Sequence, residues 1–272
     1  MHILADIGGT KTRIAGTRDL ESFTDPVIFD TPQEYDAALE RIMSVARELT
    51  GGQEIERAVF GLPARLTHDG RSIAGAKHLP AWKGKSFADD IENALGTTVI
   101  LENDTAIGGL GEAIYGAGQG ATSVMYLTVS TGVNAAHIVN GTINTSYRGV
   151  STGRQYVSMD NPITTWEGMI SGTAIKKKYG KHPKELGKEW SGWEDLARIV
   201  AFGVHNTLMH WTPELIILGG SMFNEIGISV ERVRFHVEAI KSGIPEVPEI
   251  VHSALGDLGG IWGAMARLRQ DR

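Results

Sequence analysis

His2-Ile3-Leu4-Ala5-Asp6-Ile7-Gly8-Gly9-Thr10-Lys11-Thr12 runs an apolar strand into a carboxylate and then a two-glycine turn. Lys11 to Thr17 reads as the return strand of a hairpin. The same design comes again at 123–139. Ser123 to Val129 is strand-like, Ser130-Thr131-Gly132 is a turn, and Ala135 to Val139 returns, with a hairpin signal at Asn140-Gly141. Two α/β halves with matching openings imply a duplicated domain and a cleft between the copies. The expected boundary separates a smaller N-terminal domain, 1–104, from a larger one, 105–272.

Between these landmarks the periodicity predicts a third strand at Asp25–Phe29 and an amphipathic helix from Pro32 to Leu49, with Tyr35, Leu39, Ile42, Val45 and Leu49 on its apolar stripe. Gly51-Gly52 closes that helix. Further expected elements are a strand at Ala58–Gly61, a hairpin around Asp69-Gly70, a helix at Phe87–Leu95 and a strand at Thr97–Leu101. Helices follow near 105–115, 163–179, 193–211 and 225–241, with strands at Leu215–Leu218 and near 249–253. The C-terminal helix carries Ile261, Met265 and Leu268 on one face. It can dock on the N-terminal half as well as on a second copy.

Composition removes several classes of function. The 272 residues carry a net charge of −6, which argues against nucleic acid and anionic membranes as partners. The absence of cysteine excludes disulfides, thiolate catalysis, zinc ribbons and iron–sulfur clusters. The N-terminus enters a strand with no leader-like run, and no stretch approaches the ~18 apolar residues of a membrane span, so a cytoplasmic protein is expected. The nine histidines show no ligand spacing. Glycine, at 34 residues, far exceeds a background of roughly 7% and signals tight turns and close backbone approach.

Four motifs carry chemistry. In the first, Gly8 and Gly9 let backbone amides converge on an anion, Thr10 and Thr12 add hydroxyls, Lys11 adds charge, and Asp6 can hold a hydrated Mg²⁺. The same residues would serve an ordinary hairpin turn. In the second, Thr131 and Gly132 repeat the theme in the other half. In the third, Leu101-Glu102-Asn103-Asp104 ends a strand before a helix. Asp104 can act as general base and Asn103 can meet a sugar hydroxyl, while the same pair suits a helix N-cap. In the fourth, the strand Leu215–Leu218 ends in Gly219-Gly220, where backbone can lie against a flat ligand such as adenine.

These motifs occur in one order with G-L-P at 61–63, H-L-P-A-W at 78–82, G-E-A-I-Y-G-A-G at 111–118, E-G-M-I-S-G-T-A-I at 167–175 and A-L-G-D-L-G-G-I-W-G-A near the C-terminus. That order resembles the ROK family of sugar kinases and repressors over nearly the whole chain. The resemblance implies an α/β fold of two RNase H-like domains of the actin-like ATPase and hexokinase type. It also implies transfer of the γ-phosphoryl group of ATP to a hydroxyl of a hexose or hexose derivative, with Mg²⁺. Asp6 would organise Mg²⁺ through water. Gly8, Gly9, Thr10, Lys11 and Thr12 would line one phosphate site, and Thr131 and Gly132 the other. Gly219 and Gly220 would sit near adenosine, Asp104 would be the base, and Asn103 and Glu167 would contact the sugar. The chain opens at the phosphate motif, without the helix-turn-helix domain of the family's repressors, which favours a kinase. Family members are often homodimers, an expectation carried here by analogy alone.

The chain also departs from the family. Where most members have E-x-G-H and a cysteine-rich zinc segment, it has Ser151-Thr152-Gly153-Arg154 and no cysteine, so no structural zinc is expected. Tyr156, Met159 and Trp166 are expected to hold that loop by packing instead. Ser151 cannot accept two hydroxyls as a glutamate does. Arg154 is a permanent cation that either pairs with Glu167 or faces an acidic substrate. Where family members usually have asparagine the chain has His78, which suits a sugar site or equally a solvated loop. Ala64, Asn134, Ala135 and Ala136 stand where the family has glycine, and bulk at 134–136 can crowd the phosphate cleft. Two alternatives keep the fold: polyphosphate as the phosphoryl donor, and a sugar-binding sensor that does not catalyse.

Overall fold

The computed structural model describes residues 1–144, 151–159, 163–223, 227–243 and 245–270. The described residues divide into two units, one holding Met1–Ile114 and the stretch from Asp257, the other holding Tyr115–Asn144 and the stretch from 151 to Gly256.

The first unit opens with β1 (His2–Ile7), β2 (Lys11–Thr17) and β3 (Val27–Asp30), then α1 (Tyr35–Thr50) and β4 (Arg57–Leu62). A small hairpin of β5 (Arg65–Leu66) and β6 (Ile73–Gly75) precedes α2 (Phe87–Leu95), β7 (Thr98–Asn103) and α3 (Asp104–Tyr115). Its sheet runs β3-β2-β1-β4-β7. β1, β4 and β7 are parallel, and β2 and β3 are antiparallel additions. The helix α1 begins at Tyr35 rather than Pro32, since Glu34 is still extended, and it stops where Gly51 takes the left-handed conformation at φ 59. Tyr35, Ile42 and Val45 enter a core with Phe60, Trp82 and Phe87.

The second unit repeats the order with β8 (Ser123–Val129), β9 (Val133–Val139) and β10 (Thr142–Ile143). After a hairpin of β11 (Tyr156–Ser158) and β12 (Thr164–Thr165) come α4 (Trp166–Ile170), α5 (Gly172–Tyr179), α6 (Gly192–Trp211), β13 (Leu215–Gly219), α7 (Val230–Ile240) and β14 (Glu249–His252). The sheet order is β10-β9-β8-β13-β14, with β8, β13 and β14 parallel. Position for position this matches the first sheet, as a duplication requires.

Two expected helices are shorter than their periodicity. The stretch 163–179 begins with β12 and then breaks at Ser171, which is extended. Ser171 caps α5 by accepting from the Ala174 amide at 3.1 Å, so one helical pattern becomes two helices with a corner. Of the helix expected at 225–241, positions 225 and 226 lie outside the described residues, and the helix itself starts only at Val230. From Val230 it is capped by Ser229, whose hydroxyl accepts from the Arg232 amide.

The last helix, α8 (Gly259–Gln270), packs on β1 and β4 of the first unit, with Ile261, Met265 and Leu268 fully buried. It meets α3 backbone to backbone. A Cβ on Gly263 would overlap the Ile107 carbonyl, and one on Gly111 would overlap Gly259. In the second unit Gly203 of α6 likewise lies flat against the fully buried Trp166 indole. Alanine at a helical glycine ordinarily gains about 1 kcal/mol. Gly203→Ala is predicted instead to cost on the order of 1–3 kcal/mol through overpacking, read as a lower urea midpoint at unchanged slope.

Candidate active site

The parallel strands of the first unit end level with one another. Asp6 lies beside Gly61, and Gly61 beside Glu102, so Asp6 and the Glu102-Asn103-Asp104 corner share one sheet edge. Gly61 makes room there, because a Cβ would meet Ile107 Cγ2 at 2.8 Å. Asn103 is the corner itself. Its Oδ1 accepts from the amides of Thr105 at 3.1 Å and Ala106 at 3.3 Å, and its Nδ2 donates to the carbonyls of Leu62 and Ala64. It thus caps α3 and ties the helix start to β4. Asp104 Oδ1 accepts from the Thr105 amide at 2.6 Å, and the Thr105 hydroxyl lies 3.3 Å away.

Asp6 and Asp104 keep a face toward solvent but are packed closely on their other sides. The Asp104 carboxyl is pushed up to about 7, chiefly by burial and next by the neighbouring Asp6 charge, while hydrogen bonds from Thr105 and Asn103 oppose the rise. Burial likewise pushes Asp6 up to about 6, against the pull of Arg13. Arg13 in turn bridges to Asp257 at 2.6 Å, just ahead of α8. Gly260 sits so close to the Asp6 carboxyl that a Cβ would overlap it. Arg267 of α8 pairs with Glu102 at 3.0 Å. Arg13, Asp257, Gly260 and the Glu102–Arg267 pair are absent from the sequence expectations. Only the glycine-rich tail hinted at them.

The β1–β2 turn is held from the residues just after β3. The Thr31 hydroxyl donates to the Gly8 carbonyl at 2.8 Å, its amide donates to the Thr10 carbonyl at 2.9 Å, and Gln33 Nε2 donates to the Gly9 carbonyl at 3.2 Å. Thr12 points inward, 99% buried, with its hydroxyl on Thr31 at 2.9 Å. Lys11 is half exposed and pairs with Asp30 at 2.6 Å. His78 packs on Gly9, 2.7 Å from where a Cβ would stand.

In the second unit Thr131 and Gly132 close the β8–β9 turn. Gly219 and Gly220 end the adjacent strand at the level of Thr128 and Val129, with Gly220 at φ 89, where a Cβ would crowd the Val129 carbonyl. The Gly172 amide donates to the Ser130 carbonyl at 2.7 Å, and the Thr173 hydroxyl to the Thr131 carbonyl at 2.8 Å. Glu167, in the first turn of α4, accepts from the Val133 amide at 3.0 Å. That contact corrects the expected Glu167–Arg154 pair: among the described residues no ion pair joins them, and Arg154 is exposed. Ser151 is exposed too. Asn134 accepts from the Thr152 amide at 3.3 Å and so supports the Ser151–Arg154 turn. The packing expectation for this loop holds only for Trp166. Tyr156 is 65% and Met159 81% exposed. Gln155 does the fastening instead, through Gly203, Thr207 and Asn206 of α6.

The family model described as "ROK family" matches residues 3–271. The chain belongs to the ROK family. A glucokinase of Thermotoga maritima is 25% identical to this ROK protein over 97% of its chain and 96% of the relative. An N-acetyl-D-glucosamine kinase of Photobacterium profundum is 24% identical over 97% and 98%. Among solved structures, a ROK glucokinase of Streptomyces griseus in complex with glucose and AMPPNP shares the fold at TM-score 0.82, with 22% identity and 99% of each chain covered. A ROK hexokinase of Thermus thermophilus does so at TM-score 0.84, with 23% identity and the same coverage. This member has no cysteine, and among its described residues no group of three or more His, Asp or Glu side chains is placed to hold a metal. Nor is any described helix long and apolar enough to cross a membrane.

The raised carboxyls set a stability test. A carboxyl with a raised folded pKa contributes stability that is complete below its ordinary value of 3.8 and is lost as pH rises through the folded value, here about 7 for Asp104. In buffer free of divalent cations, Asp104→Asn should therefore melt several degrees above the wild type at pH 8, equivalent to on the order of 1–3 kcal/mol. The gap should close as pH falls from 7 toward 4. A gap that grew on acidification would contradict the assigned environment.

Proposed function

We propose that this ROK protein is a cytoplasmic sugar kinase that moves the γ-phosphoryl group of ATP to a hydroxyl of a hexose or hexose derivative. The observation that carries the reading is Asp104: a carboxylate at a helix start, beside a second carboxylate, with an acidity brought near neutrality. A general base works best when its pKa lies near the working pH. Thr105 and Asn103 orient the carboxylate, which accepts the hydroxyl proton as the sugar oxygen attacks phosphorus.

Phosphoryl transfer asks mostly for alignment and charge neutralisation. In the first unit, Gly8, Gly9, Thr10 and Lys11 offer amides, a hydroxyl and a cation to phosphate oxygens. In the second, Thr131 and Gly132 suit phosphate oxygens, and Gly219 and Gly220 suit adenosine. Thr12, turned inward on Thr31, acts on the turn and not on the phosphates. Asp6 suits Mg²⁺, which takes one or two carboxylates plus phosphate oxygens in place of a protein cage. When bound, that ion supplies neutralisation of the phosphate charge.

Asn103 and His78 in the first unit, and Glu167, Ser151 and Arg154 in the second, are the residues we assign to sugar binding. Asn103 contributes by fixing the corner that carries Asp104. The hydroxyl and guanidinium at 151 and 154 support a sugar other than unmodified glucose, with an acidic or amide-bearing derivative the better match for Arg154.

The test is ADP release over a panel of sugars, amino sugars and sugar acids with ATP and Mg²⁺. One sugar should turn over, and Asp104→Asn should lower kcat on the order of 10²-fold or more while sugar binding persists. Sugar binding without turnover in the wild type, unchanged in Asp104→Asn, would instead mark a sensor. Turnover with polyphosphate alone would change the donor.

A further inference from the structure

The two phosphate turns differ in sequence, yet each is fastened in the same way. In a planar trans peptide the carbonyl of one residue and the amide of the next point in opposite directions. In the first unit, Thr31 draws the Gly8 carbonyl inward and Gln33 draws the Gly9 carbonyl inward. The amides of Gly9 and Thr10 therefore face the other way. In the second unit, the Gly172 amide holds the Ser130 carbonyl and the Thr173 hydroxyl holds the Thr131 carbonyl. The amides of Thr131 and Gly132 are turned outward by the same geometry.

Successive outward amides make an anion-binding concavity. The next amide along the second turn already has an anion on it, because Val133 donates to the Glu167 carboxylate. Each turn thus has an external threonine whose hydroxyl donates to a turn carbonyl. Thr31 stands just after β3, and Thr173 in the first turn of α5. Thr31 is also the centre of a small relay. Its single hydroxyl proton goes to Gly8, so the Thr12 hydroxyl must donate to it, which accounts for the inward turn of Thr12.

We propose that Thr31 and Thr173 are matched positioning residues, which set the peptide planes of the two turns so that their amides receive the phosphates of the nucleotide. The inference rests on the kinase reading above. Neither threonine touches the reacting atoms. Each acts through the turn it fastens, and valine in place of threonine keeps the shape while deleting the donor.

Thr31→Val, Thr173→Val and the serine variants at both positions test this, with ATP·Mg and sugar binding measured by calorimetry, KM values for both substrates, and melting temperature. Each valine variant should weaken ATP binding about three- to tenfold, the loss of one hydrogen bond. Sugar affinity should stay within about twofold, and serine should restore most of the ATP affinity. Thr31 is buried, so loss of folding there is a separate hazard. Thr173 is exposed and keeps the test decisive. A folded Thr173→Val with wild-type ATP affinity, or valine variants whose sugar and ATP affinities fall together with melting temperature, would overturn the positioning role alone. A wild type that binds sugar but no nucleotide would overturn the kinase reading and the positioning role together.

Discussion

Two neighbouring carboxylates at one sheet edge oppose folding, and the first unit is arranged around holding them there. Each is packed closely enough to lose much of its hydration, and the Asp6 charge adds to the cost of ionising Asp104. What offsets that cost is visible nearby. Arg13 stands beside Asp6 and is itself fixed by Asp257, and the Thr105 amide and hydroxyl serve Asp104. Gly260 lets α8 close on Asp6, and Gly263 and Gly111 let α8 and α3 meet backbone to backbone. An acidity near neutrality follows from this arrangement. In water a lone aspartate would be ionised through the whole physiological range.

The duplication explains why both units carry a glycine turn at the same place. The sheets share strand order and direction, so each has a β-hairpin turn at the same topological place. The copies have diverged in charge rather than in backbone design. The first unit carries Asp6, Lys11 and the Asp104 corner. The second has a neutral turn of Ser130, Thr131 and Gly132 beside a strand that ends in glycine.

Much of this was legible in the sequence because the signals are local. A strand ending in Asp6 before two glycines, and the repeat at 123–139, give the hairpins and the duplication from alternation and turn chemistry alone. What stayed hidden depends on residues far apart in the chain. Arg13 meets Asp257 across 244 positions and Glu102 meets Arg267 across 165, and no periodicity records such pairs. Thr31 looks like an ordinary residue before a proline until its hydroxyl is seen on Gly8. The 163–179 stretch read as one helix because its apolar spacing is continuous, while Ser171 competes locally for a helix amide and breaks it. Arg154 and Glu167 looked like natural partners by charge. One oxygen of the Glu167 carboxylate instead accepts from a backbone amide 34 residues away.

In the proposed reaction phosphorus moves from nucleotide to sugar. Phosphorus NMR of the protein with ATP, Mg²⁺ and the sugar panel reads that transfer directly. A new phosphomonoester resonance is expected on one sugar, rising in step with ADP. Accumulation of inorganic phosphate alone, or an unchanged ATP spectrum with a sugar demonstrably bound, would contradict it.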